Sequence, residues 1–138
     1  MQPYNIKISC STSRLLEVRQ FISSVLEAHN YPEIETHKLV LAVDEVCANL
    51  IIHSNDCNPK REIELTVKFN DQKSIIFEIV DKGVSFDMNQ YKEPALSELV
   101  SSKRKGGLGL MLVKRIMDKI EFKSEKNTNI CRLIKLID

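Results

Sequence analysis

The sequence predicts an α/β chain of the α+β kind: a two-layer sandwich, with a mixed, mainly antiparallel sheet and helices on one face only. Three observations carry that expectation. Most extended segments alternate apolar with charged residues, so each turns one side to a core and the other to water. A sheet built that way is covered on a single face, which argues against a doubly wound parallel sheet. Finally, 138 residues of which 43% are hydrophobic suffice for one domain, residues 1–138, with a core of its own.

The elements follow in order. Tyr4, Ile6, Ile8 and Cys10 alternate with Asn5, Lys7 and Ser9, the pattern of a half-buried strand. Over residues 13–29 the period changes: Leu15, Val18, Ile22, Val25, Leu26 and His29 recur at helical spacing, behind Ser11, Thr12 and Ser13 as candidate caps. Asn30-Tyr31-Pro32 ends that helix, and Pro32 suits the first turn of a second one. The second helix runs to about Ser54 on a stripe of Leu39, Val43, Val46, Cys47 and Leu50. Residues 55–60, NDCNPK, read as a loop. Ile63, Leu65, Val67 and Phe69 against Glu62, Glu64, Thr66 and Lys68 give a strand, Asn70-Asp71 a hairpin turn, and SIIFEIV over 74–80 the next strand. Residues 88–105 are polar and lack a period, apart from a short helical stretch around Ala95–Val100; a segment of this length reads as a mobile lid or as disorder. Residues 106–118 start as a glycine loop and continue as an apolar helix, and strands near 119–125 and 130–137 close the chain.

Twenty basic against 19 acidic side chains leave a net charge of +1, which gives no reason to expect a nucleic acid as partner. The opening MQPYNIKISCSTSR has no long apolar run, so no leader is expected, and no stretch approaches the roughly 20 apolar residues of a membrane span. Cys10, Cys47, Cys57 and Cys131 show no C-x-x-C spacing, and three of them sit in apolar patterns where cysteine acts as a small hydrophobe. Free thiols without a leader favour a reducing cytoplasm.

Three short blocks carry chemistry. In EVCANLIIH, residues 45–53, Glu45 and Asn49 stand four apart and so project from one side of a helix, with His53 a turn further on. An amide oxygen is a fitting ligand for a hard cation, and a carboxylate beside it can take a proton from an attacking hydroxyl. Taken alone, this is more often an ordinary solvated helix face. In DKGVSFD, residues 81–87, Asp81 ends a strand where it can accept a hydrogen bond from an amino group such as that of adenine, and Gly83 lets the backbone approach a flat base. Taken alone, Asp-Lys-Gly is a common turn. In GGLGLMLV, Gly106, Gly107 and Gly109 precede a helix whose first N–H groups and dipole favour anions, with Lys103, Arg104 and Lys105 just upstream. The alternative is a flexible loop behind a solvated basic run. The GxxxxGK(S/T) phosphate loop is absent.

Together, in this order, the blocks resemble the N, G1 and G2 boxes of the Bergerat-fold ATP-binding superfamily. Gyrase-type topoisomerases, heat-shock chaperones, mismatch-repair ATPases and sensor histidine kinases belong to it. The likeness extends over nearly the whole chain and is strongest to the bacterial anti-sigma factor serine kinases of partner-switching systems. It implies ATP and Mg²⁺, with Glu45 as the base toward a substrate serine and Asn49 as the metal ligand. It also implies Asp81 on adenine, Gly83 beside it, Lys105, Gly106, Gly107, Leu108 and Gly109 at the phosphates, and Thr128 near the adenine aspartate, though its KNTN context is a loose match. Two departures stand out: Ser85 where many members have a second glycine, and Lys105 where some carry another. The implied partners are a sigma factor and an anti-anti-sigma protein of the STAS type, phosphorylated on serine. A homodimer in the cytoplasm is implied as well, with no membrane and no direct nucleic-acid contact. The rival functions are an ATP-binding regulatory module without phosphotransfer and the catalytic domain of a sensor histidine kinase. The latter typically has a second asparagine at the place of Glu45 and a helical hairpin bearing histidine. A fragment of a chaperone or topoisomerase would need a transducer domain for which this chain is too short.

Overall fold

The computed structural model describes residues 3–71, 73–82 and 105–137. The elements run β1 (Tyr4–Ser9), a 3-10 turn (Thr12–Arg14), α1 (Leu15–Ala28), α2 (Glu33–Asn49) and a π-helical turn (Leu50–Ser54). Then come β2 (Glu62–Asn70), β3 (Ser74–Asp81), α3 (Lys105–Ile116), β4 (Lys119–Glu125) and β5 (Thr128–Leu136). The five strands form one sheet in the order β1-β2-β3-β5-β4. All four pairings are antiparallel, so the described sheet holds no parallel pair of the kind a mixed sheet would have.

The alternation read from the sequence sets which face is covered. Ile63, Leu65 and Val67 of β2, Ile75, Phe77 and Ile79 of β3, and Cys131 and Leu133 of β5 are buried on one side. Val18, Ile22, Val25 and Leu26 of α1, Leu39, Val43, Val46 and Cys47 of α2, and Val113 of α3 close over them. Each of the larger side chains contributes about 1.5–3 kcal/mol by leaving water. The other face carries Glu64, Thr66, Glu78 and Arg132, with half-buried Ile76, Val80, Ile130 and Ile134 among them. On it Arg132 grips Glu78 across the β3–β5 pair, Nη2 to Oε2 at 2.8 Å and Nε to Oε2 at 3.2 Å. A partly solvated pair of this kind is worth at most about 1 kcal/mol.

Turn chemistry fixes the register. Glu125 pairs with Thr128 across a two-residue turn in which Lys126 and Asn127 have φ of 44° and 65°. A turn with both central residues left-handed matches the twist of its strands. The hairpin expected at Asn70-Asp71 is present, with Asp71 at φ 49° and the Lys73 N–H donating to the Asn70 carbonyl at 2.8 Å. The first helix starts through a 3-10 turn capped by Ser11, whose Oγ accepts from the Ser13 N–H at 3.4 Å. It ends at His29, whose ring stacks on Phe69 with centroids 3.8 Å apart and shares a hydrogen bond of 3.1 Å with the Tyr4 hydroxyl.

The second helix does reach Ser54, but its last turn, Leu50–Ser54, is π rather than α. The wider turn accommodates one extra residue per hydrogen-bonded ring and is frequent at functional sites. Burial pushes the thiols of Cys10 and Cys131 up to about 11 and about 12, each aided by the Asp81 charge, so both are neutral hydrophobes at physiological pH. All four cysteines are free thiols.

Candidate active site

Glu45 and Asn49 lie one turn apart at the C-terminal end of α2, as their spacing requires. The environment differs from the solvated face that the spacing alone suggests: Asn49 is only 5% exposed. α2 packs against both α1 and α3 and shares one core with the sheet, so burial extends beyond its apolar stripe. The Asn49 Nδ2 donates to the Glu45 carbonyl at 2.8 Å and to Glu45 Oε1 at 3.2 Å. Those two bonds fix the amide plane and turn Oδ1, the atom a hard cation prefers, away from Glu45. Half-burial desolvates the Glu45 carboxyl and moves its pKa above the ordinary 4.5; the Asn49 bond opposes the shift and the Asp44 charge adds to it. A carboxylate made more basic in this way is better suited to take a proton.

Asp81, the last residue of β3, is the one buried acidic side chain among the described residues, at 2% exposure. A buried carboxylate needs hydrogen-bond partners. Asn55, also 2% exposed, donates from Nδ2 to Asp81 Oδ2 at 2.9 Å and to the Leu50 carbonyl at 2.8 Å. A short polar path therefore runs from Glu45 through Asn49 to the adjoining Leu50 carbonyl, then through Asn55 to Asp81. It joins the end of α2 to the end of β3. Asn129 of β5 is the register partner of Asp81, is buried on the same face, and accepts from the Ser124 hydroxyl at 2.9 Å. Thr128 stands one residue before it, on the opposite pleat.

Neither Asn55 nor Asn129 is marked by a spacing or motif. The signal available for Asn55 was its place at the end of a helix whose final carbonyls need donors.

The glycine block is not a loop. Lys105, Gly106, Gly107, Leu108 and Gly109 form the first turns of α3 itself. Once a turn is nucleated, each further residue adds a hydrogen bond, and the packing of α3 on α2 outweighs about 1 kcal/mol of propensity lost per glycine. No described glycine has a positive φ, so what glycine contributes here is the lack of a side chain rather than a special backbone conformation. The N–H groups of the first turn of a helix have no partner within it, so this end keeps the donors that a phosphate needs. Gly83 and residues 88–104 of the lid expected over 88–105 lie outside the described residues, and Lys105, its last residue, is helical. Among the described residues no cluster of three or more His, Cys, Asp or Glu could hold a metal, and no helix is long and apolar enough to cross a membrane.

A family model for the histidine kinase-like ATPase domain matches residues 8–135. The chain belongs to the histidine kinase-like ATPase family. Within it, this ATPase-family domain groups with serine-protein kinases. It is 31% identical over 113 residues to the serine-protein kinase RsbW of Halalkalibacterium halodurans, covering 78% of this chain and 67% of that protein. It is 30% identical over 120 residues to RsbW of Bacillus pumilus, covering 82% and 73%. The fold agrees with that of the RsbU and RsbW domains of a Mycobacterium tuberculosis protein, at a TM-score of 0.67 and 12% identity, covering 99% of this chain and 33% of that one. It also agrees with a chain of the SiaB–SiaC complex from Pseudomonas aeruginosa, at a TM-score of 0.63 and 13% identity, covering 97% and 89%. A domain of this family takes ATP.

Proposed function

We propose that this chain is an ATP-dependent protein-serine kinase that also acts as an anti-sigma factor, phosphorylating an anti-anti-sigma protein of the STAS type on a serine. The observation that carries the reading is the joined pair of ends: a basic carboxylate and an oriented amide on α2, linked through Asn55 to a buried carboxylate on β3. Asp81 accepts from the adenine amino group, with Gly83 beside it and Thr128 nearby. Lys105, Gly106, Gly107, Leu108 and Gly109 meet the phosphates through backbone N–H groups. Asn49 Oδ1 fits a hard cation, since its Nδ2 is already held by Glu45. Mg²⁺ bound there would neutralise phosphate charge. Glu45 takes the proton of the incoming serine hydroxyl, and phosphoryl transfer otherwise needs positioning more than covalent help.

The test is transfer of labelled phosphate from ATP and Mg²⁺ to the proteins that co-purify with this chain. A phosphoserine-bearing partner is the expected result. ATP binding with no labelled protein would leave a regulatory ATP module instead, and phosphohistidine would point to a sensor kinase domain. No nucleic acid or membrane is required, and the reading places the protein in the cytoplasm.

A homodimer belongs to the same proposal. β1 is an edge of the sheet, and the open face mixes Glu64, Thr66, Glu78 and Arg132 with half-buried isoleucines and a valine, which suits a reversible contact. Sedimentation at tens of micromolar should show a species of twice the 15.8 kDa chain mass. A clean monomer there, unchanged by ATP, would refute the dimer.

A further inference from the structure

We infer that Asn55 is a positioning residue for purine selection: it sets the Asp81 carboxylate as a fixed acceptor, and so favours a 6-amino purine over a 6-oxo purine. The inference rests on the nucleotide reading above and deepens it. Asn55 lies 26 positions before Asp81, in the segment read from the sequence only as a loop, and both side chains are 2% exposed. Both protons of its amide are engaged, one on Asp81 Oδ2 at 2.9 Å and one on the Leu50 carbonyl at 2.8 Å. The second bond anchors Asn55 to the π-turn that follows Asn49, so the carboxylate is held relative to the helix that carries Glu45.

The orientation needs an outside hand. The terminal torsion of an aspartate is broad and roughly two-fold, so its own rotamer preference does not fix the carboxylate plane. A donor on Oδ2 does, and a carboxylate can only accept. An acceptor-only group complements the amino group at C6 of adenine. It opposes the oxygen at C6 of hypoxanthine, where two acceptors would face each other in a buried site. A helix cap alone accounts for the bond to the Leu50 carbonyl and not for the bond to Asp81 Oδ2.

The experiment compares ATP with inosine triphosphate, which differs only on the purine ring. Calorimetry is run on the wild type and on Asn55→Leu, which keeps the volume and removes both donors, with thermal melting of each. The expected result is that Asn55→Leu loses about tenfold in ATP affinity while inosine triphosphate changes by less than about twofold, so the selectivity collapses. In the wild type, the Asn55 side-chain amide resonances should shift differently with the two nucleotides, a reading that needs no variant. A selectivity ratio that stays at the wild-type value, whatever happens to the melting temperature, would make Asn55 a structural cap only. Identical Asn55 shifts with both nucleotides would say the same. A wild type that binds neither nucleotide would instead overturn the nucleotide reading itself.

Discussion

Glu45→Ala should bind ATP as the wild type does and lose phosphotransfer to the partner by about 10²–10⁴-fold, the usual cost of removing a general base. Binding survives because the roles proposed for the nucleotide fall on Asp81, Asn49 and α3, and because Asn49 keeps its stronger anchor, the bond of 2.8 Å to the Glu45 backbone carbonyl. The carboxylate bond of 3.2 Å is the one lost. Glu45→Gln sharpens the test, since it preserves an acceptor for Asn49 and removes only the basicity. The pH profile follows from the same environment. A base works only when ionised, so the rate is present above the Glu45 pKa and falls as pH falls through it. Burial places that pKa above the ordinary 4.5, so the acid limb of the profile begins closer to neutrality than for an exposed glutamate. Single-turnover transfer by Glu45→Ala at the wild-type rate would reduce Glu45 to a surface acid beside the site.

The parts of this molecule that repeat along the chain were legible in it. Ile63, Leu65 and Val67 alternate and are buried together; Leu39, Val43, Val46, Cys47 and Leu50 recur at helical spacing and are buried together. One-face burial and antiparallel pairing follow from those patterns because the period of a strand and of a helix is fixed by backbone geometry. What stayed hidden depends on contacts across the chain. Burial of Asn49 depends on what packs around α2, and no window around residue 49 contains those elements. The glycines looked like a loop because glycine lowers helix propensity locally, while packing on α2 decides the matter globally. The π-turn at Leu50–Ser54 is a difference of one residue per ring, below the resolution of periodicity. Asn55 is the sharpest case: its two partners are five residues and 26 residues away, and only the fold brings them to one amide.

Asp81→Asn should weaken ATP binding by about 10–100-fold while the fold holds. A hydrogen bond to a charged group is worth about 1.5–3 kcal/mol, and each 1.4 kcal/mol is tenfold in affinity. The substitution is nearly isosteric, so little packing changes around a side chain that is 2% exposed. What changes is the sign of the partners. Asn55 presents an N–H to this position, and the adenine amino group would present another. A carboxylate has acceptors for both; an amide has one oxygen and brings donors of its own, so one of the three groups is left facing a like dipole. Removing a buried charge lightens the desolvation cost of the nucleotide-free protein, so its melting temperature should hold or rise even as affinity falls. That opposition separates loss of a ligand contact from loss of structure. Calorimetry with ATP and Mg²⁺ reads the first and thermal melting the second. An Asp81→Asn protein with wild-type affinity would remove Asp81 from the adenine site, and one with a sharply lower melting temperature would show that the carboxylate serves the fold.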